Sequence, residues 1–181
     1  MRQVIDKLKN MIVRGTIGSI NDEYARQNVT ARMHAGEIKD RIERPQMFGL
    51  TTNPPAGCAA ILAAIAGDRS RMVCLSENYY ERPKGLNTGE TQLYDAFKQF
   101  IYLKDSGVIE ISANGQIILK AAEKIRFETP ILECTGEIKD RCDSDGQTMS
   151  GMRSVFNGHT HTENGAGSQT HTPSQQMGGE S

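Results

Sequence analysis

Three of the four histidines fall late in the chain, at His159, His161 and His171, and the first two form a His-Thr-His triplet. In extended backbone, residues i and i+2 point to one side, so both imidazoles can reach the same ion. Two nitrogens are too few for a tight site, and a pair of solvated histidines is the plain alternative. A threefold axis would alter this: three copies would supply six imidazoles, enough for an octahedral shell with no open position, hence structural rather than catalytic. The other groups capable of chemistry point elsewhere. Cys58, Cys74, Cys134 and Cys142 contain no Cys-x-x-Cys pair and read as free thiols. Glu110, Glu123, Glu128 and Glu133 fall mostly on the outward phase of an alternating pattern, which suits a solvated face better than the paired carboxylates of a muralytic glycosidase. A cupin-like mononuclear iron oxygenase would need a carboxylate some four residues beyond the triplet and a distant histidine. Here Glu163 follows by only two residues and His34 is isolated.

The element that must carry the triplet is a ladder from Gly107 to Arg141. Ile109 and Ile111, Ile117 and Leu119, then Ile125 and Phe127 form apolar pairs whose leading members recur every eight residues. Period-two alternation puts each pair on one side of a short strand, and Ala113-Asn114-Gly115 suits a reversal. Strands this short leave edges that something must close. A β-prism or β-helix, from one chain or several wound together, would do so; a small meander or sandwich is the alternative. Pro130 ends the regular phase.

Upstream, the reading runs from a short helix over residues 1–10 to strands at 13–20, 29–34, within 36–52 (broken at Pro45) and at 71–78. Residues 58–67 are open between helix and strand. That suffices for a small barrel, one candidate being of the oligonucleotide/oligosaccharide-binding (OB) type. Residues 79–98, with Pro83, Gly85 and Gly89, read as an irregular neck, and 99–107 as a hairpin turning at Lys104-Asp105-Ser106-Gly107. GEIKDR occurs at both 36–41 and 136–141, in different flanks, and is taken as chance. After Arg141 the chain turns polar and glycine-rich, as in a disordered tail, with Met149 to Phe156 able to form a short helix or closing segment.

The 181 residues carry 21 basic and 22 acidic groups, which asks for no nucleic-acid partner. The start, MRQVIDKLKNMIVRG, lacks the long apolar core of a signal peptide, and no run reaches transmembrane length.

Four stretches together resemble the central spike of contractile phage tails, the Mu-like baseplate assembly or spike family, and more distantly the P2-like spike. They are VRGTIGSI, GLNTGETQLYD, the ladder with its ETP and TGEI, and NGHTHTENGAG followed by Thr172-Pro173-Ser174-Gln175. The resemblance implies a mainly β, non-enzymatic homotrimer. Its parts would be an OB-like barrel with a leading segment (1–78), a neck (79–98), a triple-stranded β-helix shaft (99–141) and a polar metal-pinned apex with a C-terminal tail (142–181). It implies one iron per trimer, held by His159 and His161 of all three chains, with calcium or chloride in the shaft or tip. It further implies attachment to tail hub and baseplate proteins through the N-terminal domain, and transient contact with the host outer membrane as the spike punctures it. The location implied is the virion, at the tip of the tail baseplate, after assembly in the host cytoplasm. His171 and the length between His161 and Pro173 depart from the family pattern.

Overall fold

The computed structural model describes residues 11–162, 165 and 167–178, so the helix expected over 1–10 lies outside the described residues. The chain divides into two compact units, Met1–Ile118 and Leu119–Ser181.

The first unit holds a closed barrel of five strands, β1 (Ile12–Asn21), β2 (Asn28–Met33), β3 (Ile38–Glu43), β4 (Ala59–Ala64) and β5 (Met72–Asn78), in the order β1-β2-β3-β5-β4. This is the OB-like barrel. All contacts are antiparallel except β3 to β5, which is parallel and joined through Glu43 and Val73. The core follows from alternation: Val29, Ala31 and Met33 of β2, Ala60, Leu62 and Ala64 of β4, and Met72 and Cys74 of β5 point inward and are buried. Ile17 and Ile42 complete it.

Residues 58–67, ambiguous in the sequence, resolve as strand β4 followed by a 3-10 turn, Ile65–Gly67. Their alanines serve close packing rather than helix formation. Gly15 of β1 pairs with Ala60; a Cβ on Gly15 would stand 2.9 Å from the Arg32 carbonyl oxygen and 3.1 Å from Leu62 Cδ1. Only glycine fits that wall without displacement.

The core also encloses an ionic cluster. Arg44, 7% exposed, pairs with Glu77. It also donates to Gln27 Oε1, the Thr52 carbonyl at 2.9 Å and Thr52 Oγ1 at 2.8 Å. Gln27, itself buried, donates to Asp22 at 2.8 Å and to Thr52 O at 3.1 Å. The cluster ties the loop after β3 to the β1–β2 turn and to β5. Desolvation, with the Glu77 carboxylate nearby, raises the Cys58 thiol; the same two causes push the Cys74 thiol up to about 12.

A second sheet follows the barrel: β6 (Thr91–Tyr94), β7 (Phe100–Leu103) and β8 (Ile109–Ser112), antiparallel in that order. The β7–β8 turn falls at Lys104 to Gly107, closed by Lys104 N to Val108 O at 3.0 Å and Gly107 N to Lys104 O at 3.2 Å, with Gly107 at φ +77°. β6 lies inside the stretch expected as neck. It is only four residues long and follows Gly85 and Gly89, so it left little periodicity to read.

Among the described residues, the second unit has one helix, α1 (Met149–Gly158). Its N-cap Thr148 accepts the Gly151 amide at 3.0 Å. An isolated bridge pairs Lys139 with Thr148, and Asp140 N donates to Gln147 O at 3.3 Å. The segment expected to be disordered on composition thus contains a capped helix and fixed turns.

Candidate functional site

α1 ends at Gly158 and the His-Thr-His triplet follows in extended backbone, with His159 at φ −71°, ψ 147°. That conformation brings the two imidazoles together as their spacing requires. Their ring centroids lie 5.0 Å apart in an edge-to-face arrangement, and His159 also lies 5.4 Å from the Phe156 ring. His159 Nδ1 is 2.6 Å from the Phe156 carbonyl, which can only accept, so Nδ1 is the donor. The chain then turns back. Thr162 bridges Gln169, and His161 N donates to Thr170 Oγ1 at 2.8 Å while Thr170 N donates to His161 O at 2.8 Å. Met177 is tied to α1 through Asn157, with Met177 N to Asn157 Oδ1 at 2.9 Å and Asn157 Nδ2 to Met177 O at 3.1 Å. The triplet's surroundings are therefore ordered by backbone, hydroxyl and amide hydrogen bonds within one chain.

The expected iron requires correction. Among the described residues, no group of three or more His, Cys, Asp or Glu side chains is placed to hold a metal ion. Among the described residues, His159 and His161 meet each other but no third ligand. Two imidazoles do not make up a shell for iron. The donor set does not fit the ion, and the calcium and chloride expected beside it are withdrawn with it.

The carboxylates are placed as surface charges. Glu110 pairs with Lys104 at 2.6 Å and Glu128 with Arg126 at 2.7 Å. His34 starts the 3-10 turn His34–Gly36 in the first unit, whereas His159 and His161 belong to the second. Glu163 lies outside the described residues.

Between β8 and the Lys139 bridge runs the remainder of the ladder. Among the described residues, no backbone-to-backbone hydrogen bond involves residues 113–137. Yet Ile117, Leu119, Ile125 and Phe127 are 55, 62, 47 and 60% exposed. Ile118, Ile131, Leu132 and Ile138 are exposed as well. Among the described residues, this ribbon thus combines exposed apolar side chains with a backbone that has no backbone pairing.

Sequence reasoning missed a polar cluster at the start of the second sheet. Glu90 accepts the Tyr102 hydroxyl, Asn87 N at 2.7 Å and Asp105 N at 3.2 Å, while Asn87 Nδ2 donates to Asp105 at 3.0 Å. These bonds hold the Glu90 carboxyl below its ordinary range and push the Tyr102 phenol up to about 12. The stretch GLNTGETQLYD contributed to the family resemblance; its chemistry is this latch between the loop before β6 and the β7–β8 hairpin.

Comparison with known proteins agrees with that resemblance. Residues 14–78, the barrel, match the family described as Bacteriophage Mu Gp45, N-terminal. The chain is 29% identical to the Mu-like prophage FluMu protein gp45 of Haemophilus influenzae over 94% of its own length and 90% of that protein. It is 25% identical to the baseplate puncturing device gp45 of Escherichia phage Mu over 74% of its own length and 68% of that protein. With its barrel matched by the family's N-terminal domain and its length aligned to two such proteins, the chain is a homologue of the Mu-like phage gp45 proteins.

Proposed function

We propose that this chain is the central spike of a contractile phage tail, a structural and non-catalytic part of the baseplate that punctures the host outer membrane on contraction. The phage Mu relative is named a baseplate puncturing device, which supports the role. One observation carries the mechanism: the apolar pairs Ile117–Leu119 and Ile125–Phe127 stand in water on a segment that, among the described residues, has no backbone-to-backbone hydrogen bond. Three such ribbons wound about one axis would bury those side chains and pair those amides together, as a triple-stranded β-helix. No subunit could then peel away under axial load without losing both.

In this reading the barrel, residues 14–78, faces the tail hub and other baseplate proteins. Residues 142–181 form the apex, with His159 and His161 packing as rings rather than binding metal. The particle acts from the virion, touching the outer membrane only in passing. Among the described residues no helix is long and apolar enough to cross a membrane.

The test is to replace Ile117 and Ile125 together by aspartate. Loss of the assembled species with the barrel still folded, seen by sedimentation and circular dichroism, supports the reading. An unchanged assembly contradicts it. The enzymatic alternatives, an iron oxygenase or a cell-wall hydrolase, draw no support from the placement of the histidines and carboxylates.

A further inference from the structure

Two bulges flank the same residue of the barrel wall. From β1 to β2 the pairing passes from Ile17↔Ala31 to Ser19↔Thr30, so Gly18 is the extra residue. From β2 to β3 it passes from Val29↔Ile42 to Ala31↔Lys39, so Asp40 and Arg41 together oppose Thr30. Bulges bend a strand and re-aim its side chains. Here two at one level accompany an open groove of about 710 Å³ lined by Asn21, Tyr24, Asn28, Thr30, Asp40 and Arg41, within the ordinary size range of ligand sites. Arg41 sits at φ +54°, in the region that side chains disfavour, and such strain concentrates where a chain binds or acts.

The groove's polar groups are held but not used up. Asn21 Oδ1 accepts the Glu23 amide at 3.0 Å, which leaves its Nδ2 to donate. Asn28 Nδ2 donates to Arg26 O at 3.0 Å, which leaves its Oδ1 to accept. Among the described residues, the barrel's ion pairs engage Arg26, Arg44 and Arg69, and Arg41 belongs to none of them. Tyr24 stands at the rim, 66% exposed.

We propose that this groove is a saccharide-binding site that takes a short stretch of uncharged glycan. Planar amides, one carboxylate and one guanidinium suit vicinal hydroxyls, which both donate and accept in a plane. The Tyr24 ring offers a face for the C–H side of a sugar. The charge argues against a polyanion: Arg41 adjoins Asp40, Arg26 is paired with Glu43 at 3.3 Å, and Asp22 and Glu23 lie on the same turn. Nucleic acid would call for several uncompensated cations and successive aromatic platforms. In barrels of this kind the face of strands 2 and 3 and the loop joining strands 1 and 2 are a common ligand surface, but the assignment rests on the groove's own groups. It lies within one chain and is independent of how the ribbon assembles.

The full-length protein is titrated with chitohexaose, with maltoheptaose and with O-polysaccharide freed of lipid A, using saturation-transfer NMR and calorimetry, with oligo-dT as the polyanion. At least one sugar should bind, and Tyr24→Ala and Arg41→Gly should each weaken it by about tenfold or more, as expected for an aromatic or arginine anchor. Arg41→Gly removes the side chain while easing the backbone, so an unchanged or raised melting temperature confirms that the barrel is intact. Three binding results would each overturn the proposal: no binding of any of the three sugars, undiminished binding in the double variant that combines Tyr24→Ala with Arg41→Gly, or oligo-dT displacing the sugar and binding tighter. A double variant that alters only the mass of the assembly would likewise overturn it, by making the groove a subunit contact.

Discussion

Arg44 and Glu77 meet inside the barrel, with Nη2 3.1 Å from Oε2 and their side chains only 7% and 15% exposed. Removing one partner of such a pair strands the other charge away from water. Arg44→Ala should therefore cost about 3–5 kcal/mol. Replacing both by apolar residues of similar volume, as in Arg44→Met with Glu77→Leu, should recover most of that loss. Urea denaturation followed by circular dichroism reads both. A single Arg44→Ala as stable as the parent would show that the pair is not a determinant of the barrel.

Gly15 tests the packing of β1 against β4. A methyl group there meets the Arg32 carbonyl oxygen at 2.9 Å, and that oxygen belongs to the β1–β2 ladder and cannot swing aside. Gly15→Ala should destabilise the barrel by about 1–3 kcal/mol, the usual range for overpacking. Gly18→Ala is the control, because its Cβ would meet the Thr30 carbonyl oxygen at an ordinary 3.5 Å. Equal effects at the two positions would contradict the packing described.

The Glu90–Tyr102 latch predicts a pH dependence with a defined sign. Hydrogen bonds from Tyr102, Asn87 and Asp105 lower the Glu90 carboxyl. Its contribution is therefore present above the ordinary carboxylate range and fades as pH falls through the lowered value. Tyr102 is raised to about 12, chiefly by its bond to Glu90. Its contribution is whole below about 10, the ordinary tyrosine value, and is lost as pH rises through the raised one. Amide exchange at Asn87 and Asp105 should accelerate, beyond the intrinsic change, in acid and in Glu90→Gln. Flat protection in Glu90→Gln would show that the carboxylate does not hold the loop.

Much of the barrel was legible from residue order. β2 and β5 announce themselves through Val29-Ala31-Met33 and Met72-Cys74, where alternation is unbroken. β4 was ambiguous because alanine serves a helix and a tightly packed strand equally; only the opposing Gly15 decides it. The bulges were hidden because an extra residue cancels the alternation that would reveal a strand, although Gly18 inside a strand pattern was a usable signal. The spacing of His159 and His161 placed their rings on one side of the backbone, and the rings lie 5.0 Å apart; the hydrogen bond between His159 Nδ1 and the Phe156 carbonyl had no signal in the sequence. The ladder is the opposite case. Its periodicity is plain in the sequence, while among the described residues strand pairing within the chain reaches only β8 and the bridge of Lys139 to Thr148.

The ribbon's exposed apolar side chains and unpaired backbone make assembly the central claim, and native mass spectrometry of the full-length protein tests it most directly. Each chain weighs 19.9 kDa. The account predicts one dominant species at three times that mass, reduced to single chains by aspartate at Ile117 and Ile125. A dominant species of 19.9 kDa from the unaltered protein would contradict it.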